Sequence, residues 1–179
     1  MIDHKIIFFG PVGAGKSTAI RSVSDIDCIN TDVNTSDSTS KRKQTTTVAM
    51  DYGYFTSSFN QRIHLYGTPG QERFRFMWEM ITTDLAADSC GLILLLDNSR
   101  NYPRQDLETY IQLFRNLNSS KQLIIAVTCS DLKASPVAAD YQGWLIEMEI
   151  EAPVYFIDAR DQQDVLFLVD ELLNTPATT

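Results

Sequence analysis

Gly10-Pro-Val-Gly-Ala-Gly-Lys-Ser17 stands between an apolar, β-rich run, Lys5–Phe9, and a helix-compatible stretch that opens near Lys16. The octet satisfies G-x-x-x-x-G-K-[ST] in the strand–turn–helix setting that gives the pattern its meaning. Glycines let the backbone wrap closely round phosphate oxygens, and the helix start adds its positive dipole end. The inward-pointing groups are expected from Val12, Gly13, Ala14, Gly15, Lys16, Ser17 and Thr18. Lys16 is placed to reach the β- and γ-phosphates and is a catalytic candidate. Ser17 is placed to ligate Mg²⁺ and Thr18 to lie near the α-phosphate. The competing account is a glycine turn that binds nothing.

That motif fixes the order of elements around it. A polar connection fills residues 29–47 and carries a basic run, Lys41-Arg42-Lys43. So long a connection inside a compact domain is functional or disordered. Val48–Thr56 and Arg62–Tyr66 read as an antiparallel hairpin, followed by a break at Gly67–Gly70 and a helix from about Arg73 to Ile81. Strands at Gly91–Asp97, Gln122–Val127 and Val154–Ile157 then alternate with helices at Arg104–Leu117, Val137–Glu149 and Gln163–Leu173. Such alternation predicts an α/β fold: a mostly parallel sheet with helices on both faces and one antiparallel edge strand. With 179 residues the chain is expected to form one domain over residues 1–174, with a loose tail at 175–179.

Charge and composition narrow the partners. Fifteen basic against twenty-three acidic residues give a net charge of −8. A field of that sign disfavours nucleic acid and anionic membranes alike, so any phosphate must be held locally. The longest apolar runs, Gly91–Leu96 and Leu123–Val127, are too short to span a bilayer. The first residues carry no visible secretory signal, and with Ile2 in place of Gly and a final Pro-Ala-Thr-Thr without cysteine neither myristoylation nor prenylation is expected. No stable membrane anchor is expected. Cys28, Cys90 and Cys129 are scattered and odd in number, which suits reduced thiols in a cytoplasmic protein. His4 and His64 lack neighbours at metal-ligand spacing.

Beyond the phosphate loop, His64-Leu-Tyr-Gly-Thr-Pro-Gly-Gln-Glu-Arg-Phe74 resembles the Asp-x-x-Gly-Gln-Glu-Arg-Phe segment of Ras-like small GTPases. Thr47-Val-Ala-Met-Asp51 resembles the Thr-Ile-Gly-Val-Asp of Rab proteins, and Gly91-Leu-Ile-Leu-Leu-Leu-Asp97 resembles a strand of Arf proteins. The likeness is nearest to the bacterial Ras-like GTPases, a group that includes MglA-type polarity switches, and runs from Lys5 to about Leu173. It implies the P-loop NTPase fold with a six-stranded sheet and about five helices. It also implies a switch that binds GTP or GDP with Mg²⁺ and hydrolyses GTP to change its partners.

By the same resemblance Thr47 would bind Mg²⁺ through its hydroxyl and the γ-phosphate through its amide. The Gly70 N–H would bind the γ-phosphate, and Gln71 would orient the attacking water. Two loops tied to one phosphate are released when it leaves, which is the physical logic of such a switch. Effector and activating proteins would then be partners, with a roadblock-type protein among the activators that the resemblance suggests.

Relatives read guanine with Asn-Lys-x-Asp, and here the register holds Thr128-Cys-Ser-Asp131. Asp131 can accept both the N1–H and the exocyclic amine of guanine, a donor pair that adenine does not offer. Thr128 can replace part of the asparagine's bonding, whereas Cys129 lacks the aliphatic stem a lysine lays over a base. Asp158-Ala-Arg160 resembles Ser-Ala-Lys, and the Ala159 amide would meet guanine O6.

Two departures bear on catalysis. Gly67 stands where relatives have the aspartate that holds Mg²⁺ through water, leaving Ser17 and Thr47 for the ion. Asp97, closing an apolar strand, is an alternative metal residue or a structural one. Val12 crowds the space an arginine finger needs, so intrinsic hydrolysis is expected to be slow. Arg42 is either an internal finger or part of a solvated charge cluster. Phe74, Phe76, Met77, Trp78 and Met80 exceed what one buried helix face accommodates, which leaves part of them for a partner. Two further functions stay open: a GTP-holding scaffold with little turnover, and an ATP-dependent P-loop enzyme.

Overall fold

The computed structural model describes residues 3–30, 50–70, 90–116 and 121–174. In chain order the elements are β1 (Asp3–Phe9), α1 (Lys16–Val23), β2 (Ile29–Asn30), β3 (Asp51–Thr56), β4 (Arg62–Gly67) and β5 (Gly91–Asp97). They continue with α2 (Pro103–Asn116), β6 (Gln122–Thr128), α3 (Ala138–Glu147), β7 (Val154–Phe156) and α4 (Gln162–Asn174). The seven strands form one sheet in the order β2-β3-β4-β1-β5-β6-β7. Strands β4, β1, β5, β6 and β7 are mutually parallel, and β3 runs antiparallel to β4.

Alternation along β1 explains why helices cover both faces. Ile6 and Phe8 join the cluster under α1 and α4, while Ile7 and Phe9 join the cluster under α2 and α3. Successive side chains of a strand point to opposite faces, so four consecutive buried residues require cover on each side. The helices answer with matching stripes. Leu107, Tyr110, Ile111 and Phe114 of α2, and Val165, Leu168, Val169 and Leu172 of α4, repeat at i, i+3, i+4 and i+7 and are buried.

The α/β architecture and the strand–helix alternation agree with the sequence expectation, with ends shifted by one to three residues. One detail is corrected. The two-residue β2 makes the sheet seven-stranded rather than six-stranded, and because it pairs outside the antiparallel β3 through Ile29↔Tyr52 and Asn30↔Asp51, β3 is not the edge. So short a pairing carries no hydrophobic alternation to announce it. Four helices are present among the described residues, and the helix expected from Arg73 to Ile81 lies outside them.

In such a sheet ligands bind outside the carboxyl ends of the strands, where the connections diverge to opposite sides. Here that point is the end of β1, flanked by β4 and β5.

Candidate nucleotide site

Residues 10–15 leave β1 and enter α1 at Lys16. Gly10 has φ +138°, and a Cβ built there would lie 2.1 Å from the Leu95 carbonyl oxygen, so the loop turns directly over β5. Gly15, at φ +94°, precedes the first residue of α1 in a left-handed conformation that favours glycine. The Ala14 N–H donates to the Pro11 carbonyl at 3.3 Å and the Ala19 N–H to the Gly15 carbonyl at 2.8 Å.

Lys16 lies inside this loop. Its Nζ donates to the carbonyls of Gly10 at 2.8 Å and Pro11 at 2.7 Å, and the residue is 7% exposed. Burial pushes its ammonium down to about 8, with the Asp51 carboxylate pulling the other way. A cation held so, with carbonyl dipoles as its direct partners, is short of negative charge. Gly70 closes the loop from the far side: a Cβ there would meet the Val12 nitrogen at 2.6 Å and Lys16 Nζ at 2.8 Å. Only a residue without a side chain can approach this closely.

Ser17, the second residue of α1, donates its hydroxyl to a carboxylate oxygen of Asp51. Asp51 belongs to no motif that marks it for this site in the sequence. It begins β3, directly opposite Gly67 at the end of β4. Asp97 has other work: its Oδ1 accepts from the Ser99 N–H at 2.8 Å and the Ser99 hydroxyl at 2.6 Å, which secures the turn after β5. This supports the structural alternative for Asp97.

A cavity of about 490 Å³ runs from Gly13, Gly15 and Thr18 to the loops after β6 and β7, where Asp131, Ala159 and Arg160 line it. Its size is that of a small-molecule site. Thr128 also lines it, buried, with its hydroxyl directed at the carbonyls of Ala14 at 3.0 Å and Leu96 at 3.2 Å. The side chain thus ties the phosphate loop to the sheet. Asp131 is exposed, 3.7 Å from the Arg160 guanidinium. Arg160 in turn grips Asp158, which holds that carboxyl down at about 2. Ala159 is buried against Gly15, whose Cβ would come within 3.0 Å of Ala159 Cβ.

Asn98 braces the base side, a role with no sequence signature. Fully buried, it donates to the Lys133 carbonyl at 2.8 Å and the Pro136 carbonyl at 3.2 Å, and accepts from the Tyr141 hydroxyl at 3.0 Å. The loop carrying Asp131 is therefore fixed at its far end by a satisfied buried amide.

The structure brings together Val12, Gly13, Ala14, Gly15, Lys16, Ser17, Thr18 and Gly70 around the loop, with Thr128, Asp131 and Ala159 along one cavity wall. Thr47, Gln71, the basic run at 41–43 and the aromatic stretch at 74–80 lie outside the described residues. Among the described residues no group of three or more His, Cys, Asp or Glu could hold a metal ion alone, and no helix is long and apolar enough to cross a membrane.

Comparison with known proteins agrees with this geometry at the level of ligand class. An uncharacterized protein of Methanocaldococcus jannaschii is 31% identical over 106 residues, which cover 59% of this chain and 58% of that protein's length. Residues 26–153 match the family described as conserved hypothetical ATP binding protein. The match starts beyond the glycine-rich loop, at Ile26. The chain belongs to that family of P-loop nucleotide-binding proteins.

Proposed function

We propose that the protein is a guanine-nucleotide-dependent switch: it binds GTP and GDP with Mg²⁺, hydrolyses GTP slowly, and changes partners with the state of its loops. The observation that carries this is the single cavity with the phosphate loop at one end and the Asp131 carboxylate at the other. Guanine presents two adjacent donors to such a carboxylate, and adenine presents none in that pattern. The Ala159 amide, at the same end, is a suitable donor for the guanine oxygen. Thr128 acts on the base indirectly, by holding the loop in register with the sheet.

Mg²⁺ would be held by Ser17 and Thr47 with the nucleotide's phosphates. The fit is chemical: the Ser17 hydroxyl and the Asp51 carboxylate are hard oxygen groups side by side at the start of α1. The ion supplies neutralisation of charge on the β- and γ-phosphates. The remaining work falls to the chain. Lys16 exchanges two neutral carbonyl partners for phosphate oxygens, Gly70 lends its N–H beside it, and Gln71 orients water. Contact of Gly70 with Val12 and Lys16 supports a second loop that senses the γ-phosphate. Effector and activating proteins, a roadblock-type protein among them, would read that loop.

A second reading follows from the family description, which names ATP. Competition of unlabelled GTP and ATP against a fluorescent GDP on purified protein separates the two. GTP is expected to displace the probe at least about tenfold more effectively, a difference on the scale of one charge-assisted hydrogen bond. Asp131→Asn is expected to remove that preference while ATP displacement stays within about twofold. Equal displacement by GTP and ATP in the wild type would overturn the guanine reading, and stronger displacement by ATP would transfer it to ATP.

Turnover is expected to be slow because Val12, exposed at the loop's crest, occupies the approach of an activating arginine. Single-turnover phosphate release without a partner should fall below about 0.1 s⁻¹. A partner-free rate above that would contradict the switch and favour a self-sufficient enzyme. No release even with activating partners would instead support a GTP-holding scaffold.

A further inference from the structure

We propose that Asp51 is the carboxylate that positions the Mg²⁺ site, and that Gly67 is glycine to make room for it. The inference rests on the nucleotide-binding reading of the loop and adds to it a residue that the loop's sequence pattern does not contain.

Position 67 ends β4 next to the phosphate loop, where a carboxylate aimed at Ser17 would be useful, and it carries no side chain. Its backbone does not demand glycine, because its φ lies outside the left-handed region. Space does. A Cβ at 67 would meet Ile20 Cδ1 at 2.9 Å, Asp51 Cβ at 3.0 Å and Asp51 Oδ2 at 3.2 Å. Two of the three obstructions are the side chain of Asp51 itself.

The reason is the register. Asp51 and Gly67 are direct partners across the antiparallel β3–β4 pair. Opposed residues of such a pair project to the same face, about 5 Å apart. A carboxylate on either strand can therefore reach the same place, and one excludes the other. In this chain it comes from β3.

Chemistry assigns the carboxylate its role. The Ser17 hydroxyl donates a hydrogen bond to the Asp51 carboxylate. A hydroxyl that ligates a cation does so through a lone pair, which leaves its proton needing an acceptor, and a carboxylate fixed there orients the ligand and raises its basicity. Mg²⁺ also keeps several of its waters, and the same carboxylate can accept from one of them. Asp51 further lies within electrostatic reach of Lys16, so the groups that would meet the phosphates and the ion form one array. Asp51 is thus a positioning residue that acts through Ser17 and bound water.

Its signature is dependence on magnesium rather than loss of binding as such. The affinity of the full chain for a fluorescent, non-hydrolysable GTP analogue is measured in EDTA and across a Mg²⁺ titration. For Asp51→Asn, which keeps the shape, the Mg²⁺ needed for half-maximal enhancement should rise by roughly 10–100-fold, with affinity in EDTA within about twofold of wild type. Gly67→Asp alone should also lose the enhancement, since two side chains then compete for one space. The exchange Asp51→Gly with Gly67→Asp should restore half-maximal Mg²⁺ to within about fivefold of wild type. Thermal melts identify variants that fail to fold, and the exchange variant keeps the test decisive if a single variant does so.

Analogue binding with unaltered Mg²⁺ dependence in folded Asp51→Asn would overturn the inference and leave the nucleotide site standing. Equal weakening with and without Mg²⁺ would make Asp51 structural and overturn it too. No binding by the wild type would overturn both.

Discussion

Lys16→Ala is expected to reduce affinity for a nucleoside triphosphate by at least about a hundredfold while leaving the fold intact or more stable. The first half follows from charge. Lys16 is the cation inside the loop, and hydrogen bonds to charged groups contribute about 1.5–3 kcal/mol each. Reaching two phosphates, it is worth at least about two decades. The second half follows from burial. Its ammonium titrates at about 8 in the folded chain against 10.5 for a free lysine. Keeping it charged at neutral pH, below both values, therefore costs folding free energy on the order of 3 kcal/mol.

The sign of the pH dependence is fixed by the same shift. Between pH 8 and 10.5 the unfolded chain binds the proton that the folded chain has lost, so this group makes stability rise with pH across that window. Phosphate binding requires the charged form. Affinity for the triphosphate should therefore fall as pH rises through about 8, and binding just above that pH should take up a proton. Isothermal titration in buffers of different ionisation enthalpy measures the uptake, and thermal melts of Lys16→Ala measure the stability. Retained affinity in the variant would end the phosphate-loop account. A markedly lower melting temperature would show that the two carbonyl contacts outweigh the desolvation.

What the sequence made legible was local. The phosphate loop is contiguous, its conformation is dictated by its own glycines, and its strand and helix adjoin it, so no distant contact had to be foreseen. The core elements were legible through their periodicity. The Mg²⁺-positioning carboxylate was not, because it depends on a cross-strand register. The missing side chain at Gly67 was plain, but its replacement lies sixteen residues earlier on a neighbouring strand. A signal did exist: with Thr56 opposite Arg62 at the hairpin, counting outward along both strands brings Asp51 opposite Gly67. Thr128 illustrates another limit. Its position at the end of β6 marked it for the base, yet its buried hydroxyl turns to Ala14, because a short side chain there reaches the loop backbone first. Asn98 gave no signal, since a buried amide that secures a loop resembles any surface asparagine in a sequence.

Gly10→Ala is expected to be the most destructive glycine-to-alanine change among the described residues. Two independent costs coincide. The backbone stands at φ +138°, a conformation L side chains rarely adopt, and the new Cβ would lie 2.1 Å from the Leu95 carbonyl oxygen of β5. Backbone strain of this kind costs about 1–3 kcal/mol. The clash adds to it, because the obstruction is main chain in the centre of the sheet and cannot swing aside. Together they should exceed about 3 kcal/mol, or roughly 10 °C in melting temperature for a chain of this length. Gly13→Ala is the control: φ is +84°, but nothing lies within 4 Å of its Cβ, so strain acts alone and about 1–2 kcal/mol is expected. Urea denaturation of both variants gives the comparison. The order Gly10 far worse than Gly13 would show that the loop is seated on β5 as well as turned by its glycines. Equal losses would mean that the loop can lift off Leu95, and the close approach that seats the phosphate cradle on the sheet would then be wrong.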